Sequence, residues 1–452
     1  MASALLGVLD LISTLVCIRL WVTTADFGIA TLAIALFPIL DRLGGMGLGA
    51  FLIREPDDES SVFWLNLGVA AAMLAVLATG AAIAQTIVAS MLAAYGIRLV
   101  LQASSVVPEA RMRRALRFGE LSAIRVVAGL VETATKLSLA AAGEPVWCFA
   151  IGPIANTCVT SIGVQLREPW RPKLAFDRAA AGRAARFTAA LSGGELLYYA
   201  YTSADYLVIG AAFGAAAVGA YRLAYEMVLD VVKLVSAITA EVAYPVLATT
   251  RDVAGELVRF TRQNALALAP VLVFIALEAD ALLAALYGPL PPAAATAARI
   301  LCVVGALRIS SFVIPPMLAA IGAPRRVLAY HAVALVVLPA SFAIGAVLGH
   351  DFTAVAWGWA AGYPIAFGVL LALALPRAEL SLGGYLLPLG RTALCAIGAA
   401  LAGIAARALG GNLFAVAAAI LVVYGLLIAW LERVTPAAIA RAIRGRARGL
   451  AP

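Results

Sequence analysis

Charge is what this sequence has least of. Asp, Glu, Lys and Arg make up 13% of its 452 residues, against about 25% in soluble globular domains. Only Lys136, Lys173 and Lys233 are lysines. That scarcity excludes an ordinary soluble fold. Histidine is nearly missing as well: His331 and His350 stand apart from any carboxylate or cysteine cluster, so no histidine-centred chemistry is visible. The five cysteines, Cys17, Cys148, Cys158, Cys302 and Cys395, lie in apolar stretches without C-x-x-C or His spacing. Neither a disulfide framework nor a zinc site is therefore expected, and they read as small apolar fillers. No G-x-x-x-x-G-K-[ST] run occurs, which excludes ATP as the direct drive. Nor is a cleavable signal peptide recognisable, because the apolar stretch from Met1 to Trp21 has no basic lead and no small-residue cleavage site. That stretch is expected to be the first span, with a shortened start.

What is present in abundance is apolar: 63% of residues are hydrophobic and the mean hydropathy is +0.98. Crossing about 30 Å of hydrocarbon takes about 20 residues of helix. Stretches of that length recur near 2–21, 26–49, 62–84, 88–108, 119–141, 146–166, 187–210, 215–243, 264–286, 294–320, 327–348, 353–375, 385–406 and 412–431. The expected fold is an all-α membrane protein of fourteen transmembrane helices.

The net charge of +8 would suggest nucleic acid in a soluble protein, but here its distribution tests the span count. With the N-terminus inside, the cytoplasmic segments hold Arg54, the Arg111–Arg117 cluster, the basic loop 167–186, Arg251, Arg259, Arg262, Arg325, Arg326, Arg377, and the tail with Arg433, Arg441, Arg444, Arg446 and Arg448. The outside loops hold only Arg407. A miscount would put later basic loops on the wrong face, so both termini are expected in the cytoplasm, with no nucleic-acid partner.

The loop containing Glu168-Pro169-Trp170-Arg171-Pro172-Lys173 separates six spans from the next six and reads as an inter-lobe linker. The expected organisation is an N-lobe at 1–183, a C-lobe at 184–378, and a pair of accessory spans with a basic tail at 379–452. An internal echo supports two pseudo-symmetric lobes: Phe27-Gly28 opens the second span as Val218-Gly219 opens the eighth, and charges follow in each, Asp41-Arg42 and Asp230 with Lys233.

Ionisable groups inside the membrane cost at least about 2.5–3.5 kcal/mol on insertion scales, so each is a functional candidate facing an interior or water. Arg222, Glu226, Asp230, Lys233 and Glu241 recur in the eighth span at helical spacing and predict one polar stripe. Arg125, Glu132 and Lys136 share a face of the fifth span, and Glu195, Tyr199, Thr202 and Tyr206, with Asp205, mark the seventh. Arg19, Arg42, Arg98 and Arg308 extend the set to other spans. The structural alternative is acid–base pairing between helices, or snorkelling to the interface for Arg19, Arg98, Arg299 and Arg391. Glu278, Asp280 and Arg299 fall at a rim where solvation is expected. Gly44, Gly45, Gly47 and Gly49 predict close approach or bending, and Pro38, Pro153, Pro270, Pro315 and Pro316 predict kinks.

Ala25-Asp26-Phe27-Gly28, an apolar span, Asp41-Arg42-Leu43-Gly44 and Phe51-Leu52-Ile53-Arg54-Glu55 together resemble the opening of the polysaccharide-transporter branch of the multidrug, oligosaccharidyl-lipid and polysaccharide flippase superfamily. Asp205-Tyr206-Leu207-Val208-Ile209-Gly210, Val218-Gly219-Ala220-Tyr221-Arg222-Leu223-Ala224-Tyr225 and Tyr244-Pro245 look like its seventh and eighth spans. The resemblance covers roughly residues 1–330; Val22-Thr23-Thr24 stands where the family usually has Leu-Gly-Pro. It implies a two-lobed bacterial inner-membrane protein, not an enzyme. Such a protein moves an undecaprenyl-pyrophosphate-linked oligosaccharide (an O-antigen, capsule or exopolysaccharide repeat unit) to the periplasmic leaflet by alternating access around a cationic cavity.

On that reading Arg19, Arg42, Arg125, Lys136, Arg222, Lys233 and Arg308 are the candidates for the pyrophosphate, which arginine's planar fork suits. Glu132, Asp205, Glu226 and Asp230 would hold those cations apart and supply a site for coupling to H+ or Na+; no cofactor is implied. Tyr198, Tyr199, Tyr201, Tyr221 and Tyr225 are candidates to face sugar rings. Partners would be the lipid-linked glycan, membrane lipid and other glycan-assembly proteins. The competing readings are a cation-coupled drug exporter, which would need an acidic cavity; a polymerase or ligase, which the short outer loops disfavour; and a non-transporting scaffold, which leaves the intramembrane charges unexplained.

Overall fold

The computed structural model describes residues 2–44, 48–55 and 58–432. Gly45, Gly47 and the basic tail with Arg433, Arg441, Arg444, Arg446 and Arg448 lie outside them. The described residues form helices and turns without a strand. The chain separates into two compact units. The first contains everything up to Arg222, with Leu286–Gly288 and Leu338–Val355; the second comprises Leu223–Ala285, Pro289–Val337 and the chain from Ala356 onward.

In chain order the helices are α1 (Ala2–Leu20), α2 (Thr24–Leu43), α3 (Leu48–Arg54), α4 (Glu59–Ala84), α5 (Ile87–Arg114), α6 (Phe118–Ala141), α7 (Cys148–Arg167), α8 (Arg178–Thr202), α9 (Ala204–Phe213) and α10 (Ala215–Tyr225). A π-helical turn over Glu226–Asp230 leads into α11 (Val231–Thr249), followed by α12 (Val253–Tyr287), α13 (Pro292–Ser311), α14 (Ile314–Ala320), α15 (Pro324–Leu348), α16 (Thr353–Ala374), α17 (Leu382–Ala408) and α18 (Leu413–Glu432). Among the described residues, eleven helical stretches are long and apolar enough to cross a membrane. The other three expected spans, at α1, α6 and α8–α9, are also helical. Charge sets α6 and α8 apart from the eleven: Glu120, Arg125, Glu132 and Lys136 lie in α6, and Arg178, Arg183, Arg186 and Glu195 in α8, which breaks from the short α9 at Ser203.

Local chemistry accounts for several boundaries. At Thr23 α2 begins with a capping box: Asp26 N–H donates to Thr23 Oγ1 at 3.2 Å and Thr23 N–H donates to Asp26 Oδ2 at 3.2 Å. The expected seventh span is divided at Ser203. The tenth is divided before Pro315-Pro316, as a proline pair requires. In α12 the non-helical residue is Glu278 (φ −108°, ψ 21°), eight residues beyond Pro270, where the kink was expected.

Two glycines decide how α2 meets α10. A Cβ on Gly28 would lie 1.8 Å from the carbonyl oxygen of Ala215, and one on Gly219 would lie 1.8 Å from that of Thr24. The contact is reciprocal: Ala215 and Gly219 each stand 191 residues after Thr24 and Gly28, their counterparts on α2.

The basic loop after α7 is a fastened strap. Trp170 is buried and meets the Phe63 ring edge-on with centroids 5.2 Å apart. Trp64 Nε1 donates to Lys173 O at 2.8 Å, Lys173 N–H to Ser60 Oγ at 3.1 Å and Asp177 N–H to Ser61 Oγ at 2.9 Å, while Asp177 caps α8. Trp170→Ala is therefore expected to release the strap. Trypsin should then cut after Lys173 several-fold faster than in the wild type, as local opening of a segment held by few contacts allows; band intensities over time measure it.

Much of the basic charge beside this strap is already balanced. Glu59 accepts from Arg111 and from Arg114 at 2.6 Å, and Arg117 pairs with Glu120 at 2.7 Å and Glu168 at 2.8 Å. These arginines hold α4, α5 and the strap together, which leaves less free charge for docking a partner than the sequence suggests.

Candidate functional site

The intramembrane charges of the first unit gather in three places. In the first, Lys136 of α6 is 3% exposed and its ammonium bonds Asp10 of α1, with Thr14 Oγ1 at 3.2 Å and the Phe149 ring 5.8 Å away. A lysine this deep must be paired, since an unpaired buried charge costs several kcal/mol. One turn earlier on α6, Glu132 accepts from Asn156 Nδ2 of α7 at 2.9 Å. Arg98 of α5 donates to Thr157 Oγ1 at 2.9 Å and lies over Phe37 at 4.4 Å, tied inward where snorkelling was one expectation. The third α6 residue, Arg125, is exposed and shares Glu109 with Arg113, at 2.7 and 2.8 Å. Three residues on one predicted face thus serve three different neighbours.

The second place is Arg42 at the end of α2. Its Nε stands 2.7 Å from Glu195 of α8 and its guanidinium 5.5 Å from the Tyr199 ring centroid. The third is built by α9 and α10. Asp205 is fully buried and accepts from Tyr206 N–H at 2.8 Å and Tyr221 OH at 2.9 Å; Arg222 Nη1 donates to Tyr206 OH at 2.8 Å. Asp205 can be this deep because it sits in the first turn of α9, where free backbone N–H groups and the helix dipole favour a carboxylate. Arg19 is exposed, with its guanidinium against Gly288.

In the second unit Arg308 of α13 is 5% exposed, donates to Tyr225 OH at 3.1 Å and lies 5.4 Å from the Trp359 ring centroid. Cation–π contact with a desolvated arginine is worth on the order of 2 kcal/mol. The predicted stripe down the eighth span changes face here. The π turn at Glu226–Asp230 shifts the helical phase, so Glu226 and Asp230 are half-buried while Lys233 and Glu241 are exposed, alongside Leu234 and Ile238. Glu278, expected on a solvated rim, is buried at the α12 kink with Arg407 Nη1 3.9 Å away.

Asp10, Asn156, Thr157 and Trp359 are absent from the sequence-based set although they touch its members. Asp10 carries its own signal, an acid within an apolar stretch. The other three are ordinary helix residues until neighbouring helices are placed beside them.

A family model described as "Polysaccharide biosynthesis protein" matches residues 18–289, more than half of the chain. The chain belongs to that family. It is 25% identical over 241 residues to the lipopolysaccharide biosynthesis protein WzxC of Escherichia coli, covering 50% of this chain and 48% of that protein. It is 23% identical over 279 residues to the teichuronic acid biosynthesis protein TuaB of Bacillus subtilis, covering 58% of each. The chain spans about half the length of the relatives it matches. Among solved structures, the lipid II flippase MurJ in an inward closed conformation superposes with a TM-score of 0.76 over 96% of this chain and 98% of its own, at 12% identity. An inward-facing multidrug resistance MATE family transporter of the MOP superfamily gives 0.57 over 83% and 94%, at 15% identity. The fold is thus that of MurJ and the MATE transporters. Family and structural neighbours carry the names of biosynthesis proteins, transporters and flippases rather than enzymes, and the chain is a multi-pass protein of the bacterial inner membrane.

Proposed function

We propose that this protein is a flippase that carries an undecaprenyl-pyrophosphate-linked oligosaccharide from the cytoplasmic to the periplasmic leaflet by alternating access. It would use fourteen spans, pseudo-symmetric lobes at 1–183 and 184–378, accessory spans in 379–452 and cytoplasmic termini. The observation that carries the reading is a flippase fold, in a polysaccharide biosynthesis family, with arginines and lysines placed inside apolar helices. The reciprocal glycine contact supports the pseudo-symmetry, because equivalent positions of a repeat should touch each other across its axis. In this proposal Arg19, Arg42, Arg125, Lys136, Arg222, Lys233 and Arg308 are the cations that handle the pyrophosphate along its path. Glu132, Asp205, Glu226 and Asp230 balance these cations or carry a coupling ion.

Arginine is suited to the task because its donors match phosphate oxygens two at a time and it stays charged when desolvated. The test is transfer of a fluorescent polyprenyl-pyrophosphate oligosaccharide between leaflets of reconstituted vesicles. Arg222→Ala and Arg308→Ala are each expected to slow transfer by about tenfold or more, since a charge-assisted hydrogen bond contributes about 1.5–3 kcal/mol. Wild-type rates in both folded variants would return these arginines to a structural role. Absence of transfer by the wild type would count against the flippase itself.

A further inference from the structure

All five cysteines are free thiols, and the packing of the first unit brings two of them together. Cys17 of α1 and Cys148 of α7 stand 131 residues apart in sequence. Both are fully buried, and their side chains share a hydrogen bond. Cys148 Sγ donates its one hydrogen to Pro145 O at 3.1 Å, so Cys17 is the donor between the two sulfurs. Cysteines whose side chains point apart cannot be bridged without moving the backbone; these two point at each other. The proposed pyrophosphate contacts use neither sulfur.

The surroundings separate this pair from thiols that only fill space. Cys148 is held in place: its N–H donates to Glu144 O at 3.2 Å, and the next carbonyl, Phe149 O, accepts from Tyr95 OH at 3.0 Å. The Lys136 ammonium acts on both sulfurs, whereas the Asp10 carboxylate acts on Cys17. A neighbouring cation is a mark of reactive thiols. The approach is also short. Residues 141–144, just ahead of Cys148, are exposed, and α1 ends three residues after Cys17 with Leu20 and Trp21 exposed. Helix ends open locally at little cost, which lets a small reagent reach Cys148. On the topology proposed above both ends face the periplasm, a compartment in which disulfides persist.

We propose that Cys17 and Cys148 form a reversible disulfide that staples α1 to α7, with a disulfide-bearing compound as the oxidant. Cys148 attacks first, since it opens its helix beside the exposed turn. Its sulfur bonds to one sulfur of the oxidant, whose own S–S bond breaks and releases the first thiol. Cys17, already in contact with Cys148 Sγ, then attacks that sulfur and the second thiol leaves. The two protein thiols give up two electrons and two protons, which end on the two released thiols. Only the compartment rests on the proposed topology; the pair depends on neither orientation nor transport.

Dipyridyl disulfide added to the purified full-length protein, without denaturant, tests the pair, because a pair and a single thiol leave different products. A pair releases both halves of the reagent and keeps no pyridyl group; a lone cysteine keeps one half. Non-reducing trypsin digestion and mass spectrometry should show the peptide ending at Arg19 joined to the peptide Leu137–Arg167, and dithiothreitol should part them. Cys158 shares the second peptide but lies ten residues along α7, about 15 Å away. Cys158→Ala should therefore keep the link and Cys148→Ser lose it. The oxidised wild type should melt several degrees above the reduced protein, since a cross-link over so long a loop restricts the unfolded chain. No reaction of the folded wild type, a pyridyl adduct without the link, a link that survives Cys148→Ser, or an unchanged melting temperature overturns the proposal. If Cys148→Ser does not fold, the wild-type and Cys158→Ala peptide maps decide. A link without glycan transfer would count against the flippase reading alone, and transfer without a link against this one alone.

Discussion

Asp10→Asn is expected to destabilise the protein more than Lys136→Met, and the double substitution to recover most of the loss. The asymmetry follows from burial. Lys136 is 3% exposed, whereas the Asp10 side chain is 61% exposed. Removing the acid strands an ammonium among α1, α6 and α7, and breaking a buried pair from one side costs about 3–5 kcal/mol. Removing the lysine leaves a carboxylate that is not enclosed by protein and is free to turn toward another polar neighbour, so its cost is smaller. With both charges gone the helices meet through neutral side chains, which is often close to neutral for stability. Thermal unfolding of the detergent-solubilised variants measures this. The same set separates structure from function, because transfer of lipid-linked glycan by the stable double variant should stay slow if Lys136 handles pyrophosphate. Recovery of both stability and transfer would make the lysine a helix fastener.

Gly28→Ala and Gly219→Ala are expected to be as damaging, through an unrelated cause. Each added methyl would have to occupy space 1.8 Å from a backbone carbonyl oxygen, which cannot rotate away as a side-chain end can. Overpacking a tight contact typically costs about 1–3 kcal/mol and at times more; here α2 and α10 must separate bodily. Because the contact is reciprocal, the double substitution should cost less than the sum of the two, as the first separation makes room for the second methyl. Gly49→Ala is the control, since a Cβ there meets nothing within 4 Å. Single variants that melt like the wild type would show that the crossing is not close-packed.

Composition and charge distribution made the membrane class legible, because 30 Å of hydrocarbon leaves few options for a backbone whose polar groups must pair internally. The start of the second span was legible to within two residues, expected at 26 and found at Thr24, but its end was not, expected at 49 and found at Leu43. Sequence read less well where the chain bends without proline. Glu278 interrupts α12 while Pro270 does not, and the π turn at Glu226–Asp230 has no signature in a row of charges spaced for an α-helix.

The candidate site divides in the same way. By itself the sequence determined that Arg42, Lys136, Arg222 and Arg308 lie within apolar helices, since solvation energy depends on residue type and local hydropathy alone. It also marked Gly28 and Gly219 as equivalent, since a repeat is a property of order. Only the tertiary structure decided that Lys136 is answered by Asp10, Arg42 by Glu195 and Arg308 by Tyr225 and Trp359. It alone likewise placed Asn66 in a cavity wall with its side-chain oxygen buried and without a protein hydrogen-bond partner. Each of those outcomes is a relation between helices far apart in sequence, fixed by the angle and depth at which they pack, and a one-dimensional pattern of charge carries neither.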